Sequence, residues 1–155
     1  QAESRYYTNE GDQIGRGPLP AQVGQETKYW AMIKIQNATS QVKNLLLTAE
    51  LPNYVSWTGR SSVSHGQDIS YNSNTKKITW KLNTLAPYTQ AGIYFEISLT
   101  PDITMVDKTP IIVKNINLTG TDSYIEENII QTTPDIDISL PNDQLGKEKG
   151  VLIIK

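Results

Sequence analysis

Apolar residues in this chain alternate with polar ones in many short runs, and turn-forming residues interrupt each run. The clearest alternation covers residues 29–35, 45–51, 78–82 and 93–99. Side chains along a β-strand point alternately to its two faces, so alternation with a period of two predicts half-buried strands. A helical period is nearly absent. The chain is therefore constrained to an all-β fold.

Turn signals separate these runs and set the number of strands. Asn72, Ser73, Asn74 and Thr75 form a polar turn between two alternating runs, which predicts a hairpin. Further strands are predicted at residues 111–118, 125–132, 136–140 and 151–154. Eight to nine short strands favour an antiparallel β-sandwich over a parallel sheet.

The 155 residues suffice for one domain with its own core. Residues 1–20 are rich in glycine and proline, and we expect an extended N-terminal arm with one strand at residues 5–8. Residues 21–140 are predicted to form the sandwich. Residues 141–155 are predicted to form a polar linker followed by a terminal strand.

Composition excludes several classes of function. The chain has no cysteine, so it has neither disulfides nor a thiolate nucleophile. The net charge is −2 with both signs mixed, which argues against nucleic-acid binding. Its apolar runs are too short to span a membrane, so we expect no membrane contact within this chain. The chain begins with Gln1 rather than methionine, as a processed product or a fragment would.

Six segments, in order, resemble a known family. They are GRGPLPAQVGQET, LPNYVSW, ISYN, KITW, FEISLTP and LTGTD, at residues 15–27, 51–57, 69–72, 77–80, 95–101 and 118–122. Together they resemble the conserved immunoglobulin-like repeat domain of large bacterial cell-surface proteins, a domain-of-unknown-function type often found near the C-terminus. The resemblance implies an immunoglobulin-like sandwich, an exported and surface-linked location, and a role without catalytic residues or cofactors. One departure is Trp30, which lies where the family has a run of threonines.

Candidate sites for chemistry are sparse. His65 is the only histidine, and no serine lies in the strained turn that a nucleophile requires. We therefore predict no catalytic residue and no enzyme. Asp135 and Asp137 share one strand face and are the candidate ligands for calcium, a cation that needs several oxygens. The alternative is that both are solvated surface acids.

The tryptophans differ in parity, that is, in whether they lie an even or an odd number of residues from the core positions of their strands. Trp57 and Trp80 lie an even number of residues away, on the same face as core residues, so we expect both to be buried. Trp30 has the opposite parity to its apolar neighbours and is predicted to point outward. Three alternatives remain for it: cover by the N-terminal arm through Tyr6 or Tyr7, docking to another protein, or stacking on a sugar.

The last apolar run consists of Val151, Leu152, Ile153 and Ile154. It either closes an edge of its own sandwich or adds to the sheet of a neighbouring copy, which would build a fibre. The arm around Tyr6 and Tyr7 is a second candidate for that pairing.

Three functions are compatible with these observations. The first is a non-catalytic structural or adhesive module of an exported bacterial surface protein. The second is a self-assembling extracellular filament subunit joined by terminal strand addition, and the third is a carbohydrate-binding module. In the first two cases the expected partners are neighbouring domains or other copies of the chain.

Overall fold

Two antiparallel sheets stack face to face in the structure, a computed structural model that describes residues 1–155. The strands are β1 Ala2–Arg5, β2 Thr27–Gln36, β3 Val42–Glu50, β4 Val55–Val63, β5 Ser70–Asn72, β6 Lys77–Leu85, β7 Gln90–Leu99, β8 Ile111–Asp122, β9 Asn128–Thr133 and β10 Ile136–Asp137. A 3₁₀ turn at Ile103–Met105 and one helix, α1 Gln144–Lys149, complete the chain. The predicted all-β, immunoglobulin-like antiparallel sandwich is confirmed, with ten strands where eight to nine were predicted.

The strand order places four strands in one sheet and six in the other. The first sheet runs β1-β2-β7-β4, and the second runs β10-β8-β3-β6-β5. β9 also pairs with β8, on the same side of that strand as β10. The hairpin predicted around residues 72–75 is confirmed, because β5 and β6 pair on either side of that turn.

The alternating residues meet between the sheets and form one core of 26 buried side chains. Burial along β2 alternates residue by residue, with Tyr29, Ala31 and Ile33 inside. Trp80 is buried, as parity predicts. Trp57 is only half-buried and stacks on Tyr71, with ring centroids 5.1 Å apart.

The N-terminal arm departs from the prediction. Its strand is Ala2–Arg5 rather than residues 5–8, and it pairs with β2 along the edge of the first sheet. Three of its four residues are buried, including Glu3 and Arg5. Charged residues in a sequence usually indicate solvent exposure. Here Glu3 and Arg5 are buried because their side chains pair with each other.

The C-terminal segment also departs from the prediction. The expected polar linker contains the helix Gln144–Lys149, with Asp143 as its N-cap and Gly150 at its end. The expected strand at residues 151–154 is reduced to one parallel bridge between Gln22 and Ile154. Asp at the N-cap and Gly after the last turn are recognised helix signals, so the sequence contained the information for this helix.

The one α-helix has six residues, far fewer than a membrane-spanning helix requires.

Candidate interaction surfaces

Asp143 connects the N-terminal arm to the C-terminal helix. Its Oδ2 accepts hydrogen bonds from the backbone amides of Tyr6 at 2.7 Å and Tyr7 at 2.8 Å. Its Oδ1 accepts one from the amide of Gly146 at 2.9 Å, inside α1. The side chain is buried, so one carboxylate joins the start of the chain to its end. We call this contact the terminal clamp.

A second buried polar group lies beside the terminal clamp. Glu3 accepts from Arg5 Nε at 3.3 Å through Oε1 and from Asn142 Nδ2 at 2.7 Å through Oε2. A buried carboxylate is tolerated when its oxygens are paired in this way. These contacts explain why a short charged strand can lie under the C-terminal segment.

Tyr6 and Tyr7, the arm residues predicted as protein contacts, lie against the same domain. Tyr6 is buried, with its ring 5.2 Å from that of Tyr7 and 6.1 Å from that of Tyr29. Its hydroxyl donates to the carbonyl of Gly17. Burial, and to a smaller extent Tyr7, raises the pKa of Tyr6. Tyr6 therefore has almost no surface left for a partner, whereas Tyr7 is half-buried.

The terminal run Val151, Leu152, Ile153 and Ile154 contacts its own domain at two places. Ile153 is fully buried, and it exchanges backbone hydrogen bonds with the loop of Asp107 and Lys108. Ile154 does the same with the segment from Ala21 to Val23. The run therefore lies against its own sandwich, and Leu152 and Ile154 expose about half of their side chains there.

Trp30 lies on the outer face of the first sheet, as its parity predicts. It is half-buried, and its indole Nε1 donates to the carbonyl of Ile14 at 3.2 Å. The arm thus partly covers it, through Ile14 rather than through Tyr6 or Tyr7. The guanidinium carbon of Arg60 lies 6.0 Å from the centroid of its ring, within reach of a cation–π contact.

A β-bulge places Arg60 over this face. The register between β4 and β7 shifts between Trp57 and Ser61, and Gly59 within the shift has a φ of +90°. Glycine takes that conformation without steric cost. Bulges redirect side chains, and this one directs Arg60 toward Trp30.

An open cleft of about 320 Å³ lies next to Trp30, and we call it the Trp30 cleft. It is lined by Gln13, Ile14, Gly15, Arg16, Trp30 and Arg60. Beside Trp30, directly across the strand pair, lies Glu96, whose side chain is 1% exposed. Neither carboxylate oxygen of Glu96 has a hydrogen-bond partner, and Arg60 Nη1 is 3.6 Å from Oε2.

A second cavity, of about 260 Å³, opens between the two sheets beyond the first residue of β1. Its apolar lining comes from β2, β3 and β8, and its polar rim includes Gln1 and Lys34. Along one side runs β9, which pairs only with β8. We call the cavity and this free strand the open edge.

Exposed apolar side chains gather on the hairpin that carries the open edge. Tyr124 is 85% exposed, Ile130 75% and Ile125 55%. β9 contains no charged residue and no proline. Strands with those properties invite pairing with another chain.

The predicted calcium ligands each accept one backbone amide. Asp135 accepts from the amide of Asn115 at 3.1 Å, and Asp137 from that of Ser139 at 2.9 Å. The chain has no group of three or more His, Cys, Asp or Glu side chains placed to hold a metal. Calcium binding at these two residues stays a prediction.

His65 lies in an exposed loop. Its Nδ1 is 2.8 Å from the hydroxyl of Ser64, the preceding residue, and that hydroxyl also accepts from the amide of Gly92. The imidazole makes no hydrogen bond with a carboxylate.

The fold relates this chain to solved structures of pilus proteins. It is similar to the three N-terminal domains of the type V pili tip protein Mfa5 from Porphyromonas gingivalis, with 19% identity and a TM-score of 0.51, over 65% of this chain and 22% of that one. A variant of BcpA, the major pilin subunit of Bacillus cereus, has 11% identity and a TM-score of 0.53, over 77% of this chain and 36% of that one. The RrgA Jo.In complex has 11% identity and a TM-score of 0.53, over 70% of this chain and 69% of that one.

These similarities establish a fold. The chain spans only 22% of the solved Mfa5 chain and 36% of the BcpA chain. No family model and no curated protein matches the sequence. The chain therefore has an immunoglobulin-like sandwich that is similar to domains of bacterial pilus proteins, while membership of the repeat family stays a prediction.

Proposed function

We propose that this chain is a non-catalytic structural module of an exported bacterial surface protein, built to transmit force along its length. The observation that carries the proposal is the placement of its two ends. Gln1 lies beside Lys34, near one end of β2, and Ile154 lies beside Ala21 and Val23, near the other. At ~3.4 Å per residue, the stretch of β2 between them spans ~24 Å.

That placement determines how a pulling force acts on β1. A pull on Gln1 away from the C-terminus acts along the strand axis, so it slides β1 past β2. The hydrogen bonds of an antiparallel pair lie perpendicular to the strands. Sliding therefore strains all bonds of the β1–β2 ladder together, and the terminal clamp adds two more through Tyr6 and Tyr7. This is the arrangement that a module in a string of domains needs.

Similarity in fold to pilus proteins supports the proposal, as does the resemblance to bacterial surface repeats. In such a protein the partners would be neighbouring domains, and the location would be the cell surface. Fold alone does not fix function, so the mechanical geometry is the part that an experiment should test.

Single-molecule pulling in two directions tests this proposal. The chain has no cysteine, so handles can be attached at introduced cysteines without interference. Pulling from Gln1 and Lys155 shears β1, whereas pulling from Gln1 and Gln90→Cys, at the same end of the sandwich, peels β1 off one bond at a time. We expect the shear direction to require a several-fold higher force. Equal forces in the two directions would refute a force-transmitting role.

A second candidate function is self-assembly through the open edge. The terminal strand predicted for that role is held in its own domain, but β9 presents six uncharged residues with an unpaired side. The partner would be the same edge of a second copy, because an uncharged strand has no like charges to repel its own kind. Light scattering over a range of concentrations should detect association of the native chain.

A matched pair of variants makes the assembly test specific. Ile130→Lys puts a charge on β9, whereas Ile103→Lys puts one on an exposed isoleucine of the 3₁₀ turn. We expect only the first to abolish association. A native chain that stays monomeric, or equal effects of both variants, would exclude this route.

A further inference from the structure

Exposed apolar side chains gather at the two ends of the sandwich. We call the end that holds the terminal clamp and the C-terminal run the clamp end. The opposite end, where the loops after β2, β6 and β8 lie, is the loop end. Apart from Ile130 on β9, every exposed large apolar side chain lies at one of these two ends. Apolar residues on a monomer surface are normally scattered, so gathering at two opposite surfaces indicates that both make contacts.

The loop end is one connected surface. The loop between β2 and β3 joins its two neighbours, because the carbonyl of Ala38 accepts from the amide of Tyr88 at 2.8 Å and that of Gln41 accepts from the amide of Ser123 at 2.9 Å. Ala38 and Gln41 are three residues apart, so at most about 11 Å separates the two attachments. The loops that carry Tyr88 and Tyr124 therefore lie side by side, within reach of one partner surface.

The backbone holds both tyrosines in exposed positions. Tyr88 has a φ of +57°, a left-handed conformation that is unfavourable for a residue with a Cβ, and it is 79% exposed. Asp122 Oδ1 accepts from the amides of Tyr124 at 2.8 Å and Ile125 at 3.2 Å, which fixes their turn. Backbone strain of this kind is concentrated at functional surfaces. A tyrosine in a fixed position also gives a large contact area at a small cost in side-chain entropy.

The clamp end presents its apolar surface through the C-terminal run. Backbone hydrogen bonds of Ile153 and Ile154 hold this run against the domain, and Ile153 is buried beneath it. Leu152 stays 49% exposed and Ile154 44%. Two exposed apolar side chains are thus held in place at the end of the sandwich that lies opposite the two tyrosines.

We propose that the clamp end of one copy of this chain binds the loop end of the next, with Leu152 and Ile154 against Tyr88 and Tyr124. This inference rests on the proposed role in a string of domains, because the chain starts toward the loop end and finishes at the clamp end. Copies stacked in this way place the finish of one chain beside the start of the next. A contact between two like ends would close a dimer, whereas this head-to-tail contact can continue along a string.

The size of the ends predicts a weak contact between separate copies. One sheet has four principal strands, and with strands ~4.8 Å apart and sheets ~10 Å apart the end of the sandwich offers about 400 Å² per copy. Interfaces of that size are typical of transient contacts, so we expect a Kd of about 1 mM. Such a contact is too weak to contribute to light scattering at micromolar concentrations. Domains joined by a short linker reach millimolar effective concentrations, at which the same contact is formed for much of the time.

NMR of the ¹⁵N-labelled native chain tests the proposal. Spectra are recorded from about 0.05 to about 2 mM, a range that brackets the expected Kd. We expect the amide signals of Tyr88, Tyr124, Leu152 and Ile154 to shift together as the concentration rises. The signals of β7, inside the first sheet, should stay constant.

Two variants and their mixture define which surfaces meet. Tyr124→Lys alters only the loop end and Leu152→Lys only the clamp end, and each alone should weaken association roughly tenfold or more, because a lysine would be buried against apolar side chains. A mixture of the two retains one intact contact, between the clamp end of the first and the loop end of the second. Adding unlabelled Leu152→Lys to labelled Tyr124→Lys should therefore shift the clamp-end signals with the native affinity. Ile130→Lys, on the flank, is the matched control and should associate like the native chain.

The amide spectrum of each variant also reports whether it is folded. Tyr124 is 85% exposed and Leu152 is half-exposed, so we expect both variants to keep the fold. Ile154→Lys takes the place of Leu152→Lys if the latter loses its dispersed signals, since it alters the same end.

Several outcomes would overturn the proposal. One is a native spectrum that stays constant over the whole concentration range. Another is a mixture of variants that does not restore the shifts, which would mean that like ends meet. Loss of the shifts in Ile130→Lys would assign the association to β9. A chain that resists shear but shows no shifts would keep its force-transmitting role and lose the end contact, so the two proposals fail separately.

Discussion

The terminal clamp and the open edge lie toward opposite ends of the same sandwich. The clamp pairs its polar groups, whereas the open edge leaves backbone polar groups of β9 unpaired. At the clamp, Asp143 Oδ2 accepts from two backbone amides of the distant segment Tyr6–Tyr7, and its Oδ1 accepts from the amide of Gly146 in the helix that Asp143 caps. At the open edge, β9 leaves one side of its backbone unpaired and places Ile130 in solvent. The first region uses charges to hold the chain together, whereas the second avoids charges where a strand is left free.

The other free strands show that this contrast is not an accident of topology. β5 has three residues and β10 has two, so neither offers much to a partner. β4 is interrupted by its bulge, and β1 carries Glu3 and Arg5. Short length, bulges and charges all protect sheet edges. Only β9 has none of these protections.

The largest effect should come from breaking the terminal clamp. Asp143→Ala removes the acceptor of three backbone amides, two of which belong to the buried start of the chain. Each unsatisfied buried amide costs about 1–3 kcal/mol, so we expect the free energy of unfolding to fall by about 4 kcal/mol. Urea denaturation followed by tryptophan fluorescence measures this change.

Asp135→Ala is the control for that loss. Asp135 accepts one amide in an exposed segment, so its removal should lower stability by less than about 1 kcal/mol. If the two variants lost the same stability, the terminal clamp would have no special role.

The clamp also marks the limit of what the sequence could predict. Alternating residues located the sandwich, because alternation records which side chains face the core, and Tyr29, Ala31 and Ile33 all do so. Asp143 was missed because its partners are backbone amides more than 130 residues away, which no local pattern encodes. Its role as an N-cap, however, could have been recognised from Gly150 and the intervening helix formers.

The candidate sites also contain some residues that a local pattern predicts and others that it does not. Parity predicted that Trp30 points outward, and it does. Glu96 was missed, because a glutamate between Phe95 and Ile97 has the parity of an exposed residue. Its side chain is nevertheless 1% exposed, with Arg60 of the β4 bulge 3.6 Å away, and such burial depends on contacts between distant segments that no local pattern encodes.

A smaller loss should follow from shortening Ile153, whose burial fixes the chain end. The side chain is fully buried, and Ile→Ala substitutions in cores cost about 2–5 kcal/mol. We expect about 3 kcal/mol for Ile153→Ala in the same urea assay. Leu152→Ala is the matched control, since Leu152 is half-exposed, and its loss should be below about 1 kcal/mol.

Tyr29 should respond in the opposite direction. Its hydroxyl is buried next to Tyr6 and has no hydrogen-bond partner. An unsatisfied buried hydroxyl is costly, so Tyr29→Phe should raise the free energy of unfolding by about 1 kcal/mol at neutral pH. Thermal unfolding at pH 7 measures the gain, and a loss greater than about 1 kcal/mol would indicate a partner for this hydroxyl.

The same variant has a distinct effect at alkaline pH. Burial, followed by the influence of Tyr6, raises the pKa of Tyr29 far above its usual value of 10.0. The neutral ring is therefore favoured in the folded state. Below pH 10 this tyrosine is neutral in both the folded and the unfolded chain, so its ionisation does not affect stability. As the pH rises from 10 toward the folded pKa, only the unfolded chain ionises, and the free energy of unfolding falls. Tyr29→Phe should make the loss of stability above pH 10 less steep, whereas Tyr88→Phe, at an exposed tyrosine, should not.

The smallest change in stability should come from the open edge. Ile130 is 75% exposed, so Ile130→Lys removes little buried area and should change the free energy of unfolding by less than about 0.5 kcal/mol. This prediction compares the two regions most directly, because Ile153 and Ile130 are the same residue type in a buried and an exposed position. If Ile130→Lys destabilised the isolated chain as much as Ile153→Ala does, β9 would be part of the monomer's own structural support. A neutral effect on stability, combined with a loss of association, would instead mean that the uncharged surface of β9 serves a partner rather than the fold.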